Sequence, residues 1–296
     1  MRQVVAALGN FDGVHLGHQE VLRRAVEEGR RRSMKVVAAT FHPHPRAVLG
    51  AGDPPKLLTP LALRCEMLLA HGADEVWVIP FDAALSKKTP EQFVRDVLIR
   101  EGRAGVVVVG ENFRFGHKAA GEFRDLLRIM REAGGTAVGV QVHGMDGGIS
   151  STYIRALISG GEVTEASGLL GRPYVLRGEV VVGDKRGRSI GFPTANVMPD
   201  TDAVIPARGV YAGFVRFGEE EYAACTNVGV APTFGRSESR VEAYLLDFEG
   251  DLYGRVVDVG FVKRIREERR FSGVDELIGQ IRRDVEEARI IAGGLG

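Results

Sequence analysis

Gly9-Asn10-Phe11-Asp12-Gly13-Val14-His15-Leu16-Gly17-His18 decides how the first half of this chain folds. Before it, Val4-Val5-Ala6-Ala7-Leu8 is a run of small and branched apolar residues, the pattern of a short buried strand. After it, Gln19-Glu20-Val21-Leu22-Arg23-Arg24-Ala25-Val26 reads as a helix. Three glycines in such a turn let a ligand come close to the backbone, because glycine has no Cβ in the way. The helix that follows presents free N–H groups and a partial positive charge, a natural seat for a phosphate. His15 and His18 flank that helix start, and each can donate to phosphate oxygens. A tight turn with two surface histidines fits the same residues equally well. On this stretch alone both readings stay open.

Outward from the turn, strand and helix patterns alternate. Lys35–Thr40, Val76–Ile79, Val106–Val109 and Thr136–Val142 read as further strands. The continuous apolar run of Val106–Val109 fits a sheet covered on both faces. Thr59-Pro60 and Thr89-Pro90 each read as an N-cap with proline at the first helical position. The first opens a helix to about Ala70; the second carries Phe93, Val94, Val97 and Leu98 on one face. Phe123, Leu126, Leu127 and Met130 mark one more helix. This alternation predicts an α/β domain with an open, Rossmann-like parallel sheet, binding ligands at the carboxyl ends of its strands. The loops Gly9–His18, Phe41–Arg46, Phe81–Lys88, Gly110–Gly121 and Met145–Thr152 should then share one rim. The alternating prolines of Phe41–Arg46 predict an extended, rigid wall rather than a metal site.

Past Gly171 the texture changes. Tyr174–Val182, Val210–Phe217, Glu221–Val228, Val241–Phe248 and Val256–Lys263 are short strands separated by turn residues, the pattern of an antiparallel sandwich or barrel. Val274, Leu277, Ile278, Ile281 and Val285 give a terminal amphipathic helix. A domain boundary is expected near Gly171-Arg172-Pro173, dividing the chain into 1–171 and 172–296.

The balance of 39 Lys+Arg against 39 Asp+Glu over 296 residues sets up no overall field favouring nucleic acid or an anionic membrane. No run approaches the roughly 18 apolar residues of a membrane span. The N-terminus enters a strand at once, so a cytoplasmic protein is expected. Cys65 and Cys225 suggest neither a disulfide framework nor a zinc site. All seven histidines precede residue 144, so a base in the second half must be another group.

Two further stretches can carry chemistry. Ser150, Ser151 and Thr152 offer hydroxyls at a helix start, with Arg155 one turn on. They can cap the helix, or together hold a polyphosphate. In the second half, Gly183-Asp184-Lys185-Arg186-Gly187-Arg188 leads into Pro193-Thr194-Ala195-Asn196. The first part can surround phosphates, or simply be a basic hairpin loop. Thr194 and Asn196 offer neutral oxygens at alternate positions, suited to a Mg²⁺ that also binds substrate phosphates. Glu242 is a lone acid in an apolar strand and a candidate base. The chain has neither a Gly-Lys dipeptide nor Gly-x-Gly-x-x-Gly after the first strand, which argues against a Walker P-loop and a hydride-transferring dinucleotide enzyme.

With these motifs in this order, the chain resembles the prokaryotic bifunctional riboflavin kinase/FMN adenylyltransferases nearly end to end. The first half matches in Gly9–His18, the Pro-His-Pro loop, Gly110–Gly116 and Ile149–Thr152 with Arg155. The second half matches in Gly187-Arg188, Gly191–Asn196, Gly209–Tyr211, Asn227–Gly229, Pro232–Phe234, Glu242, Leu246–Phe248 and Arg266–Phe271. The resemblance implies a nucleotidyltransferase domain followed by a six-stranded flavokinase barrel with a terminal helix. It implies ATP, riboflavin, FMN and FAD as substrates or products, with Mg²⁺, and no nucleic-acid or membrane partner. A monomer with transient assemblies is compatible with it.

In the barrel it implies Glu242 as base, Thr194 and Asn196 on Mg²⁺, and Gly183, Lys185, Gly187, Arg188 and Pro193 around ATP. Asn227, Arg270 and Phe271 would hold flavin there. In the first domain it implies His15 and His18 on the phosphates, Gly9, Phe11, Asp12, Gly17, Ser150, Ser151, Thr152 and Arg155 around ATP, and Asn112 and Phe113 near flavin. Asn112, Tyr153 and Ala231 depart from the usual residues. Two alternatives remain in view: an adenylyltransferase with a non-catalytic flavin-binding barrel, and one joined to a nucleic-acid-binding barrel. Zero net charge and the intact Pro193–Asn196 and Glu242 set count against both.

Overall fold

The run before the opening turn forms strand β1 (Val4–Leu8), whose side chains alternate between two cores. The computed structural model describes residues 3–50, 53–141, 149–183, 187, 190–200, 202–233 and 236–293, with side chains described except at 230–239 and 293. Contacts divide the chain into two units, Met1–Lys56 with Leu61–Ser151, and Leu57–Pro60 with Thr152–Gly296.

In the first unit, β1, β2 (Val36–His42), β3 (Glu75–Pro80), β4 (Ala104–Gly110) and β5 (Thr136–Val140) form a parallel sheet in the order β3-β2-β1-β4-β5. The order reverses between β1 and β4, so the crevice that takes ligands opens at the carboxyl ends of those two strands. One face buries Ala6, Leu8, Val107 and Val109 against Phe93, Leu98 and Leu126; the other buries Val5, Ala7, Val106 and Val108 against Val21, Leu22 and Ala25. Burial on both faces explains why these strands read as unbroken apolar runs.

The helices are α1 (Leu16–Arg32), α2 (Pro45–Val48), α3 (Leu61–Ala70), α4 (Pro90–Gln92, continuing with π-helical spacing over Phe93–Glu101) and α5 (Phe123–Glu132). Thr89 caps α4 as expected: its Oγ1 accepts from the Gln92 N–H at 3.2 Å, and Gln92 Oε1 accepts from the Thr89 N–H at 3.0 Å. The Phe41–Arg46 loop is not extended throughout. Pro45 opens α2, because its fixed φ suits a first helical position, and His44 Nδ1 accepts from the Arg46 N–H at 3.2 Å.

The second unit holds α6 from Thr152 onward (Ser151–Gly160), α7 (Val163–Leu170), which the sequence reading did not assign, and a closed six-stranded barrel. Its strands are β6 (Tyr174–Val181), β7 (Ala195–Pro199), β8 (Gly209–Phe217), β9 (Glu220–Thr233), β10 (Arg236–Leu245) and β11 (Val256–Arg266), in the order β10-β7-β6-β11-β8-β9. β9 runs five residues past Val228, to Thr233, and two further strands differ from the sequence pattern. β7 was hidden because Asn196 is a buried polar residue where periodicity looks for an apolar one. β10 begins five residues before Val241, through the polar Arg236–Arg240, and ends at Leu245, so Leu246–Phe248 lie beyond it. Gly213 and Gly260 let β8 and β11 cross closely: a Cβ on Gly213 would strike the Gly260 carbonyl, and one on Gly260 the Phe214 ring.

Helix α8 (Val274–Gly293) packs Val285, Ala288 and Ile291 against Val210, Ala212 and Cys225. A second tie is polar. Asp284 is 2% exposed and accepts from Arg266 Nη2 at 2.8 Å, Arg266 Nε at 3.0 Å and Gln280 Nε2 at 2.7 Å. Removing one member of such a pair leaves the other charge uncompensated. Asp284→Ala is therefore expected to destabilise the barrel by about 3 kcal/mol, read from denaturant unfolding; a loss under about 1 kcal/mol would contradict this account.

Candidate active sites

In the first unit the site is a strained turn clamped from below. Phe11 (φ 51°), Gly13 (φ 90°) and Val14 (φ 40°) all have left-handed backbone, costly for a phenylalanine and a β-branched valine. Each outlier costs on the order of 1–3 kcal/mol. Phe11 and Val14 are both 0% exposed, and burying each side chain returns about as much, roughly 1.5–3 kcal/mol. At Gly9 a Cβ would sit 3.3 Å from the Phe11 ring. The turn thus depends on its own buried side chains.

Arg64, from α3, is the clamp. It is 1% exposed, and its Nη1 donates to the Asn10 carbonyl at 3.1 Å and, at 3.4 Å, to Thr40 Oγ1 and the Phe41 carbonyl. Its Nη2 lies 3.9 Å from the buried Asp12 carboxylate. Thr40 Oγ1 itself donates to the Asn10 carbonyl at 2.9 Å. The sequence reading missed Arg64; the available signal was an arginine on the buried face of an apolar helix, four residues before Leu68.

The two histidines stand at the start of α1. His15 is its N-cap, with Nδ1 accepting from the His18 N–H at 3.3 Å, so in this geometry its proton sits on Nε2. The two rings stack at 3.6 Å, and His18 meets the edge of Phe11 at 5.3 Å. Burial, then His15 and Arg64, hold the His18 imidazole well below the ordinary histidine range, so it is neutral at neutral pH. Gly17 is buried in the first turn of α1. Ser151 Oγ donates to the Asp12 carbonyl at 2.8 Å, which brings Ser151 to the turn.

On the same rim, after β4, Asn112 is exposed; Phe113 is half-buried against the core and stacks on Phe115 at 6.1 Å. Ser150 is exposed. In the second unit, Arg155 Nη1 donates to Thr152 Oγ1 at 3.4 Å, and Tyr153 donates its hydroxyl hydrogen to Glu165 at 2.7 Å.

The barrel carries two adjoining cavities. One of about 440 Å³ is lined by Val180, Pro193, Thr194, Asn196, Leu252 and Tyr253, among others. The other, about 390 Å³, has Thr194, Asn227, Arg240 and Glu242 on its polar side. Its apolar side includes Phe192, Tyr244, Phe271, Leu277 and Ile281. Both volumes are those of small-molecule sites. Thr194 lines both. Pairing explains the convergence: on β10 Glu242 stands opposite Asn196 of β7 and Asn227 of β9. Arg240, two residues before Glu242 and so on the same strand face, completes the group. Its Nη2 lies 2.9 Å from Glu242 Oε1, and its Nε and Nη2 donate to Asn196 Oδ1 at 2.9 and 2.8 Å.

Of the other expected barrel residues, Gly183 packs on Asn196 so tightly that a Cβ there would overlap its amide. The Gly187 carbonyl accepts from the Ile190 and Phe192 N–H groups, folding this segment back toward Thr194. Lys185 and Arg188 lie outside the described residues. Arg270 is exposed and is not part of the 390 Å³ lining; its neighbour Arg269 is, with its guanidinium 4.7 Å from the Phe271 ring centre. Arg240, Arg269 and Tyr244 were missed because a single sequence does not show which residues converge on one cavity.

Comparison with known proteins follows the same division. The FAD synthetase family matches residues 1–153 and the riboflavin kinase family residues 170–292. Bifunctional riboflavin kinase/FMN adenylyltransferases from Bacillus subtilis and Escherichia coli K12 are 37% and 39% identical to this chain over 288 residues, covering 96% of it and 91% of each relative. A crystal structure described as a macrolide-efflux protein from Streptococcus pneumoniae matches with TM-score 0.89 and 35% identity, covering 97% of this chain and 94% of that one. No helix among the described residues is long and apolar enough to cross a membrane. Two family matches spanning both units, and relatives similar over almost the whole length, mean that this chain belongs to the bifunctional riboflavin kinase/FMN adenylyltransferase family.

Proposed function

We propose that the barrel transfers the γ-phosphoryl group of ATP to the riboflavin 5′-hydroxyl, and that the Gly9–His18 turn then serves adenylylation of the resulting FMN. The observation that carries the first assignment is Thr194, shared between two cavities with Glu242 facing only one of them. ATP occupies the 440 Å³ cavity, with Pro193 and Asn196 beside it and Leu252 and Tyr253 offering an apolar seat for the base. Riboflavin occupies the 390 Å³ cavity, against Tyr244 and Phe271 with Asn227 as polar partner; Arg269 takes the place first expected for Arg270. Glu242 accepts the hydroxyl proton while the oxygen bonds to the γ-phosphorus and the bond to the ADP oxygen breaks.

The donor set suits Mg²⁺: Thr194 Oγ1 and Asn196 Oδ1 are hard neutral oxygens that leave room for substrate phosphates. Bound there, Mg²⁺ would supply neutralisation of charge on the β- and γ-phosphates. Thr194 and Asn196 would hold Mg²⁺ together with the substrate phosphates.

In the second reaction an FMN phosphate oxygen attacks the α-phosphorus of a second ATP and pyrophosphate leaves. FMN is already an anion at neutral pH, so no base is needed. His15 donates from Nε2 and His18 as a neutral imidazole, joined by the N–H groups opening α1; Ser150, Ser151, Thr152 and Arg155 hold the leaving group. Gly9, Phe11, Asp12 and Gly17 shape the ATP seat, and Asn112 and Phe113 the flavin side. The functional division at Gly171 is supported by that residue's left-handed conformation, which ends α7, and by a riboflavin kinase match that begins at 170. The partners are these small molecules, and the compartment is the cytosol, consistent with two free cysteines.

Three outcomes test this. Glu242→Gln should lower FMN formation from riboflavin by at least about 10²-fold while leaving FAD formation from supplied FMN unchanged. Loss of both activities in a folded variant would refute the assignment. His18→Ala should do the reverse, with FMN accumulating and FAD output falling about 10²-fold; undiminished FAD output would count against His18. Because the pKa of His18 is depressed, it stays neutral as pH rises through about 6.5, so FAD formation should show no loss between pH 6.5 and 8. A decline centred near an ordinary histidine pKa would contradict neutral donation.

A further inference from the structure

Arg240 bonds to the two groups that the proposed kinase reaction needs free. Its guanidinium holds the amide oxygen of Asn196 through two hydrogen bonds, at 2.8 and 2.9 Å, and pairs with the Glu242 carboxylate at 2.9 Å. The two acceptors stand opposite each other on β7 and β10, and a single cation bridges them. The site is partly sheltered: Arg240 and Glu242 side chains are 24% and 26% exposed and Asn196 9%, so water competes only in part for these bonds. We propose that Arg240 is a built-in cation that competes with Mg²⁺·nucleotide for this locus, a latch that must release before phosphoryl transfer.

The inference rests on the reading of Thr194, Asn196 and Glu242 given above and extends it to a residue outside that set. Asn196 Oδ1 already receives two N–H donors, which leaves its lone pairs committed and unable to ligate a metal at the same time. Release occurs when Mg²⁺·nucleotide claims the Asn196 oxygen, because one pair of lone pairs cannot serve the guanidinium and the metal together. Arg240 is thus a positioning residue. It keeps like-tempered oxygen ligands together before substrate arrives, and it makes Mg²⁺·nucleotide binding compete with an internal charge.

The test is calorimetric titration of the full-length protein with ADP at a series of Mg²⁺ concentrations, with Thr194→Ala identifying the heat that belongs to the barrel. Arg240→Met keeps the aliphatic stem and removes the charge. It should lower the Mg²⁺ concentration needed for half-maximal ADP binding by 5-fold or more, about 1 kcal/mol by the usual conversion. Arg240→Lys, which keeps charge but loses the forked donor, should fall between Met and wild type, and carries the test if the Met variant does not fold. A midpoint unchanged or raised in these variants, with Mg²⁺·ADP still bound by wild type, would overturn the latch alone. Absence of any Thr194-dependent binding in wild type would overturn the barrel assignment with it.

Discussion

Each of the two sites places a buried or half-buried guanidinium against a small group of oxygens. Behind the Gly9–His18 turn, Arg64 gathers the carbonyls of Asn10 and Phe41 and the Asp12 carboxylate; in the barrel, Arg240 gathers Asn196 and Glu242. Desolvating a guanidinium is expensive, and neither would hold its place without several acceptors close by. At Arg64 the arrangement is closed, and the cation ties the Asn10 carbonyl to β2 while the buried Phe11 and Val14 side chains hold the strained backbone. At Arg240 one side opens on a cavity, so the same chemistry is available for exchange.

Topology then sets where these clusters lie. The parallel sheet delivers Gly9, Asn112 and Phe113 to one rim because β1 and β4 run together and reverse the strand order between them. The antiparallel barrel works through registration instead. Asn196, Glu242 and Asn227 meet because β7, β10 and β9 pair side by side, which brings together residues distant in the chain. The Arg266–Asp284 pair anchors α8 so that Leu277 and Ile281 close the apolar side of the 390 Å³ cavity.

What could be read from the sequence follows from the same physics. Runs such as Val106–Val109 announced a doubly covered sheet, and Thr89-Pro90 announced a helix start, because both signals are local. The order of motifs carried the family. β7 and the first half of β10 were silent because Asn196 and Arg236–Arg240 break the apolar alternation that marks a strand. Asn196 and Arg240 are residues the site uses, so function interrupted the periodicity at those two positions. Arg64 and Arg240 went unseen for a related reason: most of their acceptors, Asn10 and Phe41 for one and Asn196 for the other, lie far along the chain.

One chain is proposed to perform two transfers that take different phosphorus atoms from ATP. Incubating the protein with riboflavin, Mg²⁺ and ATP labelled either at the γ or at the α position, and counting label in purified FAD, tests it most directly. The account predicts one γ-derived and one α-derived phosphorus in each FAD formed. FAD that carries only α-derived label, and forms only when unlabelled FMN is supplied, would contradict it.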